Sequence, residues 1–511
     1  MTRSFEELAA LAARGDDALW ASVSRNECLA SARAFVREYR RQVRERHDGG
    51  ASGTNVVRLL SDGADTLLRG VFHFALRNVA NRAHVLSRVS LCALGGYGRA
   101  ELSPHSDLDV CLLYEGTLDP SIEALNDYLV PFLWDTGYAV GYGIRTVEEA
   151  MALAKDDVQA FTSFLEARLI AGDNTPFARL KLFVRDWPTK SRTAAFLQLR
   201  VRERREALPE EYRDLYRPDP DMKENVGGLR DLHTAMWLLM FAYGTEDLDE
   251  VAAQGLITPE EHLEVVEALD FMWRIRNELH FHAGRQENRL TFEHQRHLAE
   301  ALGYGASDLR SVSRLMEDYY AAACRLRRFL HAAVAVCDRS TAMNMLDGEE
   351  PSDRGRLPDY SIRDGELYVG QNDPNWFAEN PVRFMEAFWE CARYGVSLSR
   401  STERLVAANL GLIGETFRSN SLARRFFVAI CSQPLEAGHT LRHMANTGVL
   451  GSYIPEFAAV QGLIRYEDFH HYPVDEHTLR AIEALGEAPN LSESVGACLS
   501  LIHISEPTRP Y

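Results

Sequence analysis

Two aspartates one residue apart, Asp107 and Asp109, follow a Gly95-Gly96 turn and a polar loop that carries Arg99, Glu101 and Ser106. The apolar runs on either side, Leu91–Leu94 and Val110–Leu113, are of strand length and are bounded by turn residues. Alternation along a strand places Asp107 and Asp109 on one face. Carboxylates that close repel as anions unless a cation neutralises them. Hard oxygen ligands beside the free N–H groups of a glycine turn suit Mg²⁺ carrying a nucleoside triphosphate. The turn is expected to need a positive φ at Gly96, where a β-branched side chain would also fill the space of a phosphate. A lone D-x-D is commonly a pair of surface aspartates on an edge strand. The glycines, Arg99, Glu101 and Ser106 in the same window argue against that here.

Three further clusters could carry polar chemistry. Lys223, Gly227, Gly228, Arg230, Asp231 and His233 precede an apolar helix. A Gly-Gly turn at a helix start exposes N–H groups that favour an anion, and on spacing alone a simple helix cap with Asp231 reads equally well. Between Phe271 and Tyr304, Arg274, Arg276, Arg285 and Arg289 could line a triphosphate or a protein acceptor, although for any single arginine a surface salt bridge is the commoner role. Near the end, His470, His471 and His477 crowd around Asp475 and Glu476, a mixture that suits a divalent metal.

The elements that must position these groups are mostly helical. Residues 5–45 and 56–82 are expected to be helix, as are Ile122–Trp134, Val147–Ala154 and most of 374–430. Tyr138–Thr146 reads as a strand, and Thr162–Asp173 closes a small mixed-sheet core. That strand carries no acid, so a third carboxylate is not evident. Asp157 and Glu166 are the nearest, and Glu166 reads better as a helix-surface partner of Arg168 or Arg202. The fold class expected is α+β, mostly α-helical. Tyr360–Val369 suggests a hairpin inside a Pro/Gly/Asp-rich stretch.

Composition narrows the function. A chain of 511 residues is long enough for several domains. The net charge of −18 argues against broad nucleic-acid binding, which needs a basic surface. Eight cysteines lie scattered without a C-x-x-C pair, which fits a reduced, cytoplasmic protein. There is no signal-like apolar stretch and no run of membrane-spanning length, so neither membrane nor nucleic acid is expected as a partner.

GGYGRAELSPHSDLD resembles the signature of the polymerase β-type nucleotidyltransferases, and most closely the bacterial PII uridylyltransferase/uridylyl-removing family. KENVGGLRDLHT, the stretch Phe271–Tyr304, and LRHMANTGVLGSYIPEF resemble later segments of that family in the same order. The resemblance covers roughly residues 55–498. After an N-terminal helical segment (1–55) read from composition, it implies a nucleotidyltransferase core (56–175) and a helical associated domain (176–340). A linker or small hairpin (341–375) and a helical region (376–455) follow, then the start of an all-α HD phosphohydrolase domain (456–498). It also implies that Asp107 and Asp109 hold Mg²⁺ and are catalytic. UTP would be bound by Gly95, Gly96, Arg99, Ser106, Lys223 and Arg230, and UMP would pass to a tyrosine of the PII signal protein.

V-D-E-H-T-L-R resembles the opening of the HD domain, which makes His477 a first metal ligand there. The His-Asp pair that should follow is missing: His503 precedes isoleucine. Residues 499–511 match nothing in the family and are expected to be a non-native tail. Uridylyl removal and glutamine sensing are therefore expected only of a full-length form. Two other readings remain: an adenylyltransferase acting on glutamine synthetase or another protein, and a non-catalytic signalling scaffold. The first usually duplicates its transferase domain, and the second would rarely keep both aspartates.

Overall fold

The computed structural model describes residue 5 and residues 23–186, 215–306, 308–345, 356–357, 360–363, 365–369, 375–433, 436–463 and 472–487. The chain divides into two compact units, residues 1–344 and 345–511. The core and the helical domain that the sequence separates at 175/176 both fall in the first unit.

The first unit opens with two long helices. α1 (Arg25–Asp48) starts at a capping box, in which Ser24 and Glu27 satisfy each other's backbone N–H groups. α2 (Gly53–Leu76) is buried along most of its length. After α3 (Arg82–Leu86) the sheet begins with β1 (Val89–Ala93), the one-turn α4 (Gly95–Gly98) and β2 (Leu108–Tyr114). α5 (Pro120–Asp135), β3 (Val140–Thr146), α6 (Val147–Asp156), α7 (Val158–Leu165), β4 (Arg168–Gly172) and α8 (Asn174–Asp186) complete the core. Strand order is β3-β2-β1-β4, with β2 parallel to β3 and β1 antiparallel to both its neighbours.

Period-two alternation sorts the strand side chains into two layers. Leu91, Ala93, Val110 and Leu112 pack with α1, α2 and α5, whereas Cys92, Cys111 and Leu113 pack with α6, α7 and α8. Asp109 belongs by parity to the second face. The cysteines are core residues, and burial pushes the Cys111 thiol up to about 12.

α9 (Leu229–Tyr243), α10 (Leu248–Ala253), α11 (Pro259–Ala283), α12 (Phe292–Ala301) and α13 (Leu309–Met345) follow. α11 is docked on α2 so closely that Gly53 is obligatory. A Cβ there would stand 2.2 Å from the Asp270 carbonyl oxygen. Asp270 in turn accepts hydrogen bonds from the Thr54 N–H and hydroxyl at 2.8 and 2.6 Å, which satisfies the first turn of α2.

The second unit begins with β5 (Arg356–Leu357), β6 (Tyr360–Arg363) and β7 (Glu366–Val369). β6 and β7 form the hairpin, with Gly365 at φ +79° in its turn. The hairpin is not a free excursion. β7 pairs in parallel with β8 (Ser397–Leu398), which the sequence reading missed because two residues are too few for a strand pattern. Its apolar face packs on α14 (Trp376–Glu379) and α15 (Arg383–Tyr394). α16 (Arg400–Ala408), α17 (Glu415–Arg418), α18 (Ser421–Cys431), α19 (Glu436–Asn446), α20 (Val449–Tyr453), α21 (Pro455–Ala458) and α22 (Val474–Glu487) make up the rest. Among the described residues no helix is long and apolar enough to cross a membrane.

Candidate active site

A cleft of about 650 Å³ opens at the end of β2. Gly95, Gly96, Arg99, Ser106, Asp107, Asp109, Lys223 and Arg230 all line it. These are the eight residues that the sequence assigns to nucleotide and metal, drawn from segments more than a hundred residues apart. His477 lies elsewhere, on α22 in the second unit.

The register of the sheet fixes Asp109. β2 and β3 run parallel with Asp109 opposite Gly141. A Cβ at Gly141 would stand 2.5 Å from Asp109 Oδ1, and one at Gly95 would stand 3.3 Å from Oδ2. The carboxylate thus occupies a slot between two glycines. Asp107 sits just before the strand, which begins at Leu108 rather than at Asp107. Burial, and then the Asp107 charge, push the Asp109 carboxyl above its usual range, with Lys223 opposing them.

The positive φ of the turn belongs to Gly95, at +53°, and not to Gly96. At Gly96 a Cβ would meet only Arg99 Nη2, at 3.6 Å. The turn is braced from behind. Tyr97 donates its hydroxyl to Asp65 at 2.8 Å, and Arg168 binds both Asp65 oxygens at 2.5 and 3.0 Å. Arg168 also donates to the Tyr97 carbonyl at 3.2 Å.

Arg99 is more constrained than the sequence suggests. Its Nε donates to Glu101 at 2.6 Å and its Nη1 to Glu166 at 2.7 Å. Burial opposes the Arg99 charge, but the two carboxylates outweigh it and hold the guanidinium protonated. Glu166 is therefore not a helix-surface partner of Arg168. It caps the C-terminus of α7, is buried, and receives the Trp237 indole N–H as well as Arg99. Arg202 lies outside the described residues. Asp157 does not line the cleft; it caps the N-terminus of α7 by accepting from Gln159 and Ala160. Ser106 lines the cleft, and its hydroxyl accepts from the Ser103 N–H at 3.1 Å.

The Lys223–Arg230 loop closes the other side. Gly227 has φ +77° and packs against α13, and the buried Asp231 carboxylate accepts the Gly227 N–H at 2.7 Å and Arg327 at 3.3 Å. The N-cap of α9 is Gly228, which has no side-chain cap bond, so Asp231 does not cap the helix as expected: from inside the first turn it secures the loop through the Gly227 N–H, while Lys223 and Arg230 line the cleft. Burial, followed by the Arg230 and Arg276 charges, lowers the Lys223 ammonium from its usual range. Arg230 pairs with Glu224 at 3.0 Å.

Of the four later arginines only Arg276 lines the cleft. It is buried, donates to Ser103 and Asn288 at 3.1 and 2.9 Å, and is lowered to about 10 by burial. Arg285 pairs with Glu287 and Arg289 with Asp219, both at the surface. His233 and Glu101 stand in the sequence clusters without a role, and Trp237 is not singled out by sequence at all. Helical spacing puts His233 and Trp237 on one face of α9, but nothing in the sequence says what that face meets.

Asp475 and Glu476 are committed to structure. Asp475 accepts from the Gly462 N–H at 3.1 Å, and Glu476 pairs with Arg442 and Arg480 at 2.7 and 2.6 Å. His470, His471 and the 499–511 tail lie outside the described residues. Among the described residues no three of His, Cys, Asp and Glu come together as a metal cluster.

Residues 195–334 match the GlnD PII-uridylyltransferase family, residues 360–453 the uridylyltransferase GlnD third domain, and residues 37–150 a putative nucleotidyltransferase family, DUF294. The chain is 32% identical over 455 residues to the bifunctional uridylyltransferase/uridylyl-removing enzyme of Caulobacter vibrioides, covering 87% of this chain and 48% of that protein. The chain belongs to the GlnD uridylyltransferase family. The proteins of the same name from Vibrio campbellii and Hydrogenovibrio crunogenus are 30% and 31% identical over 436 and 477 residues. Those matches cover 84% and 90% of this chain and 48% and 51% of the relatives. This family member therefore spans about half the length of the curated relatives it matches.

Two expected results follow from this geometry. Gly141→Ala should lower activity at least about tenfold while the fold persists, because the added methyl must displace Asp109 and small misplacements of reacting groups are costly. Steady-state rates and a melting curve check it, and an unchanged rate would mean that Asp109 need not sit in its slot.

The second concerns acid. Burial, with Arg99 beside it, lowers His233 from 6.5 to about 4, and burial with Arg276 lowers His280 to about 3. Each binds its proton more tightly unfolded, so the stability it contributes is present above pH 6.5 and lost as pH falls toward 4. Glu101 is held at about 2 despite burial, by Arg99 and His233, and Glu278 at about 2 by His47 and His297. Their contribution is present above 4.5 and lost as pH falls toward 2. The melting temperature of the first unit should therefore fall in two stages below pH 6.5. A flat profile down to pH 4.5 would contradict the histidine assignment.

Proposed function

We propose that the first unit binds UTP in the cleft and transfers UMP to a tyrosine hydroxyl of the PII signal protein. The tyrosine hydroxyl loses its proton to solvent as its oxygen attacks the α-phosphorus in line, the bond from that phosphorus to the bridging oxygen breaks, and pyrophosphate leaves. The observation that carries the reading is the Asp109 carboxylate, slotted between Gly95 and Gly141, beside Asp107 and facing Lys223.

The donor set fits Mg²⁺. Two neighbouring carboxylates at a half-buried strand end, one of them raised in pKa by burial and then by the other's charge, gain most from a hard divalent cation. The cleft carries the acids Glu101, Asp107, Asp109, Glu166 and Glu224 against the cations Arg99, Lys223, Arg230 and Arg276. That balance does not favour a free polyanion, so the triphosphate is best received with its metal. Asp107 and Asp109 would hold Mg²⁺, which would supply neutralisation of charge on the phosphoryl oxygens. Lys223 and Arg276 meet the remaining phosphate charge, and the Gly95 turn lets backbone approach it closely.

The choice of UTP and of PII rests on the family relatives. The test is incubation of the chain with each of the four α-labelled nucleoside triphosphates, Mg²⁺ and either PII or glutamine synthetase. Label from UTP on a PII tyrosine is the expected result. Label from ATP on glutamine synthetase would favour the adenylyltransferase reading, and no transfer to any acceptor the scaffold reading.

A further inference from the structure

Arg99 sits on the loop behind a four-residue helix, a poor platform for a long side chain with wide rotamer freedom. It is nonetheless fixed at two points. Glu101 takes Nε and Glu166 takes Nη1, which leaves Nη2 beside Gly96 at the cleft. Each carboxylate is itself pinned by one residue of α9. The Trp237 indole N–H donates to Glu166 Oε1, and His233 Nε2 lies 2.9 Å from Glu101 Oε2. The side chains of Glu166 and Glu101 are only 4% and 15% exposed, so neither carboxylate has ready access to bulk water as a substitute partner if α9 lets go.

We infer that Trp237 and His233 are positioning residues for the nucleotide: through Glu166 and Glu101, helix α9 aims the free edge of Arg99 at the phosphate side of the cleft. This rests on the transferase reading. Two carboxylates largely cancel the charge of Arg99, so its contribution is directional and not long-range attraction. A contact of that kind to a non-reacting phosphate is made equally in ground and transition states, and its loss raises KM with little change in kcat. It also ties the nucleotidyltransferase core to the helical segment after it, so that α9 completes the site.

The test is a double-mutant cycle on UTP kinetics with the full chain. Trp237→Phe keeps an aromatic ring and removes the N–H together with part of the indole. It should raise KM for UTP about tenfold, leave kcat within about twofold and KM for PII nearly unchanged, and lower the melting temperature only through the lost packing volume. In an Arg99→Ala background the same substitution should add nothing, because its effect passes through Arg99. Glu166→Gln, which keeps the volume, should behave alike and serves if Trp237→Phe does not fold. An unchanged KM, or an equal further loss in the Arg99→Ala background, overturns the inference and leaves the transferase reading standing. Transfer that survives Asp109→Asn overturns both.

Discussion

Asp109→Asn should lower nucleotidyl transfer by at least about 100-fold, and Asp107→Asn similarly. Asparagine keeps the volume and loses the charge that a hard cation needs. Stability should move the other way. Burial and the Asp107 charge both oppose the ionised form of Asp109, as its raised pKa records. Removing its charge relieves that cost, so the metal-free variant should melt at or above the wild-type temperature. Activity loss with a retained or raised melting temperature is what distinguishes a ligand from a structural residue. A near-normal rate in either variant would remove the metal-site reading.

Gly227→Ala should destabilise the first unit by roughly 2–5 kcal/mol. The residue holds φ +77°, which costs an L side chain about 1–2 kcal/mol. The added Cβ would also stand 2.5 Å from the Ala323 carbonyl oxygen and 2.9 Å from its Cβ, so α13 must move, and overpacking of this kind costs about 1–3 kcal/mol more. Urea unfolding of wild type and variant measures it. The same shift would loosen the loop between Lys223 and Arg230, so nucleotide binding should weaken with stability. A variant as stable as the wild type would mean that α13 yields freely at this point.

The chemistry of the cleft was legible because it is local in sequence. Gly95, Gly96, Asp107 and Asp109 lie within one strand-turn-strand unit, whose periodicity gives the face of Asp109, with Asp107 just before the strand. The Lys223–Arg230 segment was legible by its own Gly-Gly turn. What could not be read depends on contacts across the sheet or between distant helices. Gly141 is an unremarkable residue of β3 until the parallel register sets it against Asp109. Glu166 has two arginines at plausible spacing, and only the fold shows that it reaches Arg99, 67 residues away. The four arginines of 274–289 look alike in sequence. The direction in which each leaves α11 or its following loop separates Arg276 from the rest. The positive φ fell one residue earlier than expected because α4 starts at Gly95, and a one-residue shift in a tight turn is invisible to composition.

The central claim is that Asp107 and Asp109 hold the divalent ion that brings the triphosphate into the cleft. Titration of Mn²⁺ by electron paramagnetic resonance, with and without UTP, tests it most directly. Mn²⁺ accepts the same oxygen donors as Mg²⁺. The account predicts weak Mn²⁺ binding to the wild-type chain, strengthened at least about tenfold by UTP, and none of that strengthening in Asp109→Asn. Equal UTP-dependent Mn²⁺ binding in wild type and Asp109→Asn would contradict it.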